Sequence, residues 1–166
     1  MNHKIKVQQW KNTAEVIEWF TKIEGKKSLR FFIFDIVAYY PSISPELLNK
    51  AFEFARAEVF INEFDMKVIK QARKTFLFHK GEPWVKKGNV NGFDIAMGAF
   101  DGAECCELVG LYLLNKITKC NLFSKDTCGL YCDDGLAVLK AGISKAHKVK
   151  LKLEEIFRTE GLQITV

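Results

Sequence analysis

The sequence predicts an α+β fold in which an antiparallel sheet carries helices on one face. Three observations point there. Aromatic and β-branched runs of strand length lie in the first quarter and the last quarter of the chain. Apolar helical periodicity separates them. Once a central insertion at about 44–97 is set aside, the order is strand, helix, strand, strand, helix, strand. The composition is that of one domain: 166 residues, 48% hydrophobic and 27% charged, with no repeat or Pro/Gly-rich linker. At this mass roughly 70% of the unfolded chain's surface is buried on folding, so a single core suffices.

The elements follow in order. Asn12 and Glu15 form a capping-box pattern before a helix whose apolar face is Val16, Ile17, Trp19, Phe20 and Ile23, ending near Gly25. Leu29–Ile36 is a compact aromatic and β-branched run, read as a central strand with Asp35 near its end. Tyr40-Pro41-Ser42 turns the chain, and Ser44-Pro45 opens a helix over about 45–60. A second helix is expected at 65–78, capped by Asp65, and glycines mark a hairpin or ribbon over 80–97. Ala103–Ile117 is helical and apolar on most sides, hence buried. Thr127–Cys132 and Leu136–Leu139 are strands joined by Asp133-Asp134-Gly135, where Asp-Gly is a hairpin signal. Ser144 is the expected cap of a last helix, stopped by Gly161, and Leu162–Val166 begins a final strand.

That order is the split βαβ arrangement of ferredoxin-like folds, with the first and third strands side by side. Asp35 then ends one central strand, and Asp133-Asp134 sits at the tip of the hairpin that carries the other. Three carboxylates that share an edge repel one another and need a compensating charge. Divalent magnesium supplies it, taking carboxylate oxygens while keeping room for substrate phosphates. Two such ions about 3.5–4 Å apart can stabilise the attacking and leaving oxygens of a phosphoryl transfer.

Phe34-Asp35-Ile36-Val37-Ala38-Tyr39-Tyr40-Pro41-Ser42-Ile43 resembles the first palm motif of reverse transcriptases, and Tyr131-Cys132-Asp133-Asp134 resembles their Tyr-x-Asp-Asp box. Met97-Gly98-Ala99-Phe100-Asp101-Gly102-Ala103 is similar to the loop that contacts template and incoming nucleotide, and the helix at 145–159 with Gly161-Leu162-Gln163-Ile164 to the start of the fourth motif. The resemblance covers about residues 29–166 and is of the retroelement type. It implies a ferredoxin-like polymerase palm, with residues 1–28 as a remnant of the fingers, and an RNA-directed DNA polymerase activity. It further implies that Asp35, Asp133 and Asp134 are catalytic and hold two Mg2+ ions, or Mn2+, with the carbonyl of Ile36 as a further ligand. Tyr40, Met97 and Gly98 would meet the nucleotide, Tyr40 as a steric gate against the ribose 2′-hydroxyl; Tyr131 and Cys132 would meet nucleic acid. The implied partners are an RNA template, a DNA primer and deoxynucleoside triphosphates.

The departures are specific. Ala96-Met97-Gly98 stands where the family reads Pro-Gln-Gly, so the glutamine's hydrogen bonds are missing. Only 28 residues precede the first palm strand, where the basic fingers residues that grip the triphosphate are expected, and Lys26, Lys27 and Arg30 are weak substitutes. No thumb follows Val166, so fingers and thumb are expected from flanking sequence of a larger polyprotein. The competing reading is a catalytically silent, retroelement-derived domain that binds nucleic acid or a partner. An RNA-directed RNA polymerase is disfavoured by Tyr40, and a metal-dependent nuclease does not account for Tyr40 together with the Tyr-x-Asp-Asp context.

Composition adds little more. The net charge of +5 is a mild bias toward phosphate-rich partners, and the lysine clusters at 22–30 and 140–152 read as solvated helix faces. Five cysteines without a Cys-x-x-Cys pair read as reduced thiols rather than as a zinc site. The expected setting is intracellular, nucleus or cytoplasm, because no apolar run follows the N-terminal Met-Asn-His-Lys and none reaches the ~20 residues of a membrane span.

Overall fold

The computed structural model describes residues 7–74, 76–84, 92–140 and 142–166. It is a mixed α+β fold. The strands are β1 (Gln8–Gln9), β2 (Arg30–Ile36), β3 (Leu77–His79), β4 (Glu82–Trp84), β5 (Cys128–Tyr131), β6 (Asp134–Leu139) and β7 (Ile164–Thr165). The helices are α1 (Thr13–Lys22), α2 (Tyr39–Ser42), α3 (Pro45–Arg56), α4 (Glu63–Ala72), α5 (Gly102–Lys119) and α6 (Ile143–Thr159), with a 3-10 turn at Lys26–Ser28. Five strands form one sheet in the order β1-β5-β6-β2-β7, and β3 and β4 form a separate hairpin. The first and third of the strands expected from the sequence, β2 and β6, are indeed antiparallel neighbours.

Two expectations about this sheet are corrected. It is mixed rather than antiparallel, because Gln8–Gln9 adds a short strand parallel to β5. Its helices are not confined to one face. The inward residues Phe32, Phe34 and Ile36 of β2, with Cys128, Leu130 and Ala137, join α3, α5 and α6 in the main core. On the opposite face Trp19 of α1 packs with Trp10 and Val138 in a second cluster. The Trp19 indole N–H donates to the carbonyl of Asp126 (2.8 Å), and Phe20 of α1 stacks tilted on Phe31 of β2. Trp10 can lie so close because Gly129 sits beneath it: a Cβ there would stand 2.5 Å from the indole. α1 therefore covers the far end of that face and leaves the end bearing Ile33 and Asp35 open, with Ile33 71% exposed.

Local signals were displaced by a few residues in three places. The hairpin turn is Cys132-Asp133, with Tyr131 opposite Asp134, so Gly135 lies inside β6 rather than in the turn. α4 starts after Asn62, whose side chain accepts from the Phe64 N–H (3.0 Å), and Asp65 lies within its first turn. α6 starts after Gly142, with no side-chain cap from Ser144. The expected ribbon at 80–97 is β3–β4 at its start; residues 85–91 lie outside the described residues.

The core is locked at its base by one buried carboxylate. Glu160 accepts hydrogen bonds from Lys50 (2.9 Å), from the Tyr112 hydroxyl (3.1 Å) and from Lys116, joining α3 and α5 to the end of α6. Burial alone would push this carboxyl up, but the bonds from Lys116 and Lys50 outweigh it and hold the group below its usual range. A depressed carboxyl stabilises the fold above its unfolded value, and that contribution is lost as pH falls through the folded value. Glu160→Gln is expected to cost about 2 kcal/mol, since hydrogen bonds to a charged group are lost but both lysines remain partly hydrated. An unchanged thermal midpoint in calorimetry would remove Glu160 from this role.

Candidate active site

Alternation along β2 decides where Asp35 points. Phe32, Phe34 and Ile36 are buried in the main core, so Phe31, Ile33 and Asp35 project from the other face. In register, Asp35 stands opposite Asp134 of β6 and, on its other side, opposite Thr165 of β7. Directly opposed residues place their Cβ atoms about 4.5–5.5 Å apart, and like charges there destabilise the pair. Asp133 comes to the same edge through the backbone: the Ile36 N–H donates to its carbonyl (3.0 Å).

The turn that carries Asp133 is strained. Cys132 has φ +53° and Asp133 does not share the positive φ, which is the φ pattern of a II′ hairpin with a cysteine where glycine is favoured. Ala38, two residues after β2, is left-handed as well, at φ +48°. Non-glycine residues held in this region cost of order 1–3 kcal/mol and concentrate at functional sites. Here both border the three carboxylates.

The electrostatics join the same residues. The Asp134 carboxyl is raised above its ordinary value, first by partial burial, then by Asp133 and Asp35. Among the described residues no lysine, arginine or histidine pairs with any of the three aspartates. The Tyr40 hydroxyl is raised by burial, by the neighbouring Cys106 and Cys132 thiols and by Asp133. Burial, then Cys105, Cys132 and Asp133, push the Cys106 thiol to about 12, and Cys132 is raised too, so neither is a thiolate nucleophile near neutral pH. Tyr39, beneath Tyr40, is buried, and its hydroxyl donates to the Cys106 carbonyl (2.8 Å), fixing α2 to the first turns of α5.

Asp35, Asp133, Asp134, Tyr40 and Cys132 thus occupy one neighbourhood. Tyr131 flanks it, half-buried, closing the hairpin opposite Asp134 and packing on the Trp10–Trp19 cluster. Ile36 turns its side chain into the core. Met97 and Gly98 lie on an exposed loop, Gly98 at φ +85° with open space where a Cβ would be; no hydrogen bond or ion pair among the described residues links them to the aspartates. That loop is anchored by an interaction with no sequence signal. Arg73, at the end of α4, is buried, ion-paired to Asp101, and accepts the Asp94 N–H on its carbonyl (2.8 Å).

The three aspartates match a hard divalent cation in donor type, in lacking a protein cation, and in their mutual repulsion. Among the described residues, no three Asp, Glu, His or Cys side chains are gathered into a ready-made metal cage. Of the cysteines, Cys105, Cys106 and Cys128 are buried, Cys120 and Cys132 exposed, and all are free thiols. No protein-family model matches this chain, and no curated protein matches its sequence.

Proposed function

We propose that this chain is the palm of an RNA-directed DNA polymerase of the reverse transcriptase type, a template-directed nucleotidyltransferase from a retroelement polyprotein. The observation that carries the reading is the Asp35–Asp134 cross-strand pair with Asp133 beside it at a strained turn, on an open sheet face and with no ion pair to a cation among the described residues. The strand order β5-β6-β2-β7 within the sheet is also that of a ferredoxin-like palm.

In this reading Asp35, Asp133 and Asp134 would hold two Mg2+ ions, or Mn2+, with the Ile36 carbonyl as a further ligand. Bound there, the metals would lower the pKa of a primer 3′-hydroxyl and neutralise charge on the departing pyrophosphate. The protein's own part is positioning. β2 and β6 fix two carboxylates on one face, and the turn at Cys132 sets the third. The Tyr39–Cys106 bond holds α2, which carries Tyr40 near enough to feel the Asp133 charge, and its ring would collide with a ribose 2′-hydroxyl there. Met97 and Gly98 approach the nucleotide, and Tyr131 and Cys132 the primer end, on an RNA template.

The test is extension of a labelled DNA primer on an RNA template by the complementary deoxynucleotide, with Mg2+ or Mn2+. Extension is expected, and binding of primer–template without extension would leave the silent-domain reading instead. Tyr40→Ala is expected to narrow the preference for deoxy- over ribonucleotide at least tenfold, the scale of a lost steric clash in a nucleotide pocket. An unchanged preference would remove Tyr40 from the gate.

A further inference from the structure

The β3–β4 hairpin stands apart from the five-stranded sheet, and its rings are uncovered. An isolated two-stranded hairpin is marginal in water, so apolar rings on it call for a partner. Lys80 (φ +52°) and Gly81 (φ +84°) form a turn of the I′ type, with a lysine where Asn or Gly is usual. In register, Leu77 faces Trp84, Phe78 faces Pro83, and His79 faces Glu82. Opposed residues share a face, so His79 and Trp84 lie on one side, with their rings 6.2 Å apart and perpendicular, and Phe78 lies on the other. Phe78 is 73% exposed, Trp84 59% and Phe76 51%.

We infer that this hairpin is a stacking platform for single-stranded nucleic acid, with Phe78 and Trp84 each receiving a base. Charge selects that partner. Arg73 is buried in its pair with Asp101, but from Lys67 to Trp84 the sequence carries four further cations, Lys67, Lys70, Lys74 and Lys80, against one acid, Glu82. Rings interleaved with cations are what a flexible polyanion with flat bases requires, and stacking tolerates any sequence because every base has a π-face. A second copy adding a strand is disfavoured, since Pro83 removes an N–H from β4. A protein packing flat on one side would also leave the ring on the other side bare.

The inference is independent of the polymerase reading, because binding needs neither divalent cation nor nucleotide. The probe is a fluorescein-labelled U20 RNA, titrated in EDTA and followed by anisotropy and by tryptophan emission. Trp10 and Trp19 are buried, so Trp84 is the exposed indole that a stacked base would quench. Wild type is expected to bind with quenching. Phe78→Ala and Trp84→Ala are each expected to weaken binding about fivefold to a hundredfold by anisotropy, with an unchanged melting temperature, since both rings are solvent-exposed. Binding that is absent, that survives both substitutions, or that leaves Trp84 emission unchanged would overturn the platform. So would a concentration-dependent dimer in light scattering that Phe78→Ala abolishes, which would give the surface to a second copy. A protein that binds U20 but extends no primer keeps this inference and loses the other.

Discussion

Asp133→Asn is expected to reduce nucleotide incorporation at least a thousandfold while leaving the fold as stable as wild type or slightly more so. The two effects have one origin. Asp133 lies beside Asp134 and Asp35, none of them ion-paired to a cation among the described residues, and its charge helps keep the Asp134 carboxyl above its ordinary value. The folded state tolerates that repulsion, and a bound divalent metal would relieve it. Asparagine keeps the size and the backbone of the turn, including the carbonyl that accepts the Ile36 N–H, but offers a metal no charge. The pH dependence has a definite sign. A carboxyl raised on folding binds more protons in the folded than in the unfolded state between its two values. Stability from Asp134 therefore declines as pH rises through that window. In Asp133→Asn the decline should be shallower, readable as thermal midpoints across the acidic range. An unchanged decline would mean that Asp133 does not act on Asp134.

Gly135→Ala is expected to be the most damaging alanine substitution among the described glycines. Gly135 lies in β6 directly opposite Phe34, and a Cβ there would stand 2.0 Å from the ring. The ring has no retreat, because Phe34 is buried and packs edge-on against Phe157 of α6. Overpacking of this kind costs about 3 kcal/mol or more, equivalent to roughly 6–12 °C in melting temperature for a chain of this length. Gly142→Ala, with open space around it and an ordinary φ of −71°, is the matched control and should lose only the N-cap preference of α6, melting far closer to wild type. Equal midpoints for the two variants would mean that Phe34 does not occupy the space above Gly135.

Gly135 also shows how the sequence misplaces a feature that it otherwise announces. Asp134-Gly135 has the look of a hairpin turn, and the local preference is real. Packing overrides it: the core needs a residue without a side chain under Phe34, and the turn moves back to Cys132-Asp133 at the cost of a left-handed cysteine. The strands that carry the aspartates were legible because their apolar runs are strong. β1 was not, since Gln8-Gln9 has no apolar alternation and exists through the edge of β5 and the seat of Trp10 over Gly129. α1 itself was legible, but its destination on the second face was not, because an amphipathic helix does not state which surface it covers. The proximity of Asp35 to Asp133-Asp134 followed from strand order alone. The Arg73–Asp101 pair behind the loop of Met97 and Gly98 joins residues far apart in sequence and left no pattern to read.

The most direct test of the central claim is single-nucleotide incorporation on RNA templates that differ only in the first unpaired base, run with Mg2+ and again after chelation. The complementary deoxynucleotide is expected to be added in each case, and chelation to abolish addition. Incorporation that ignores the template base or persists without a divalent cation would contradict that claim.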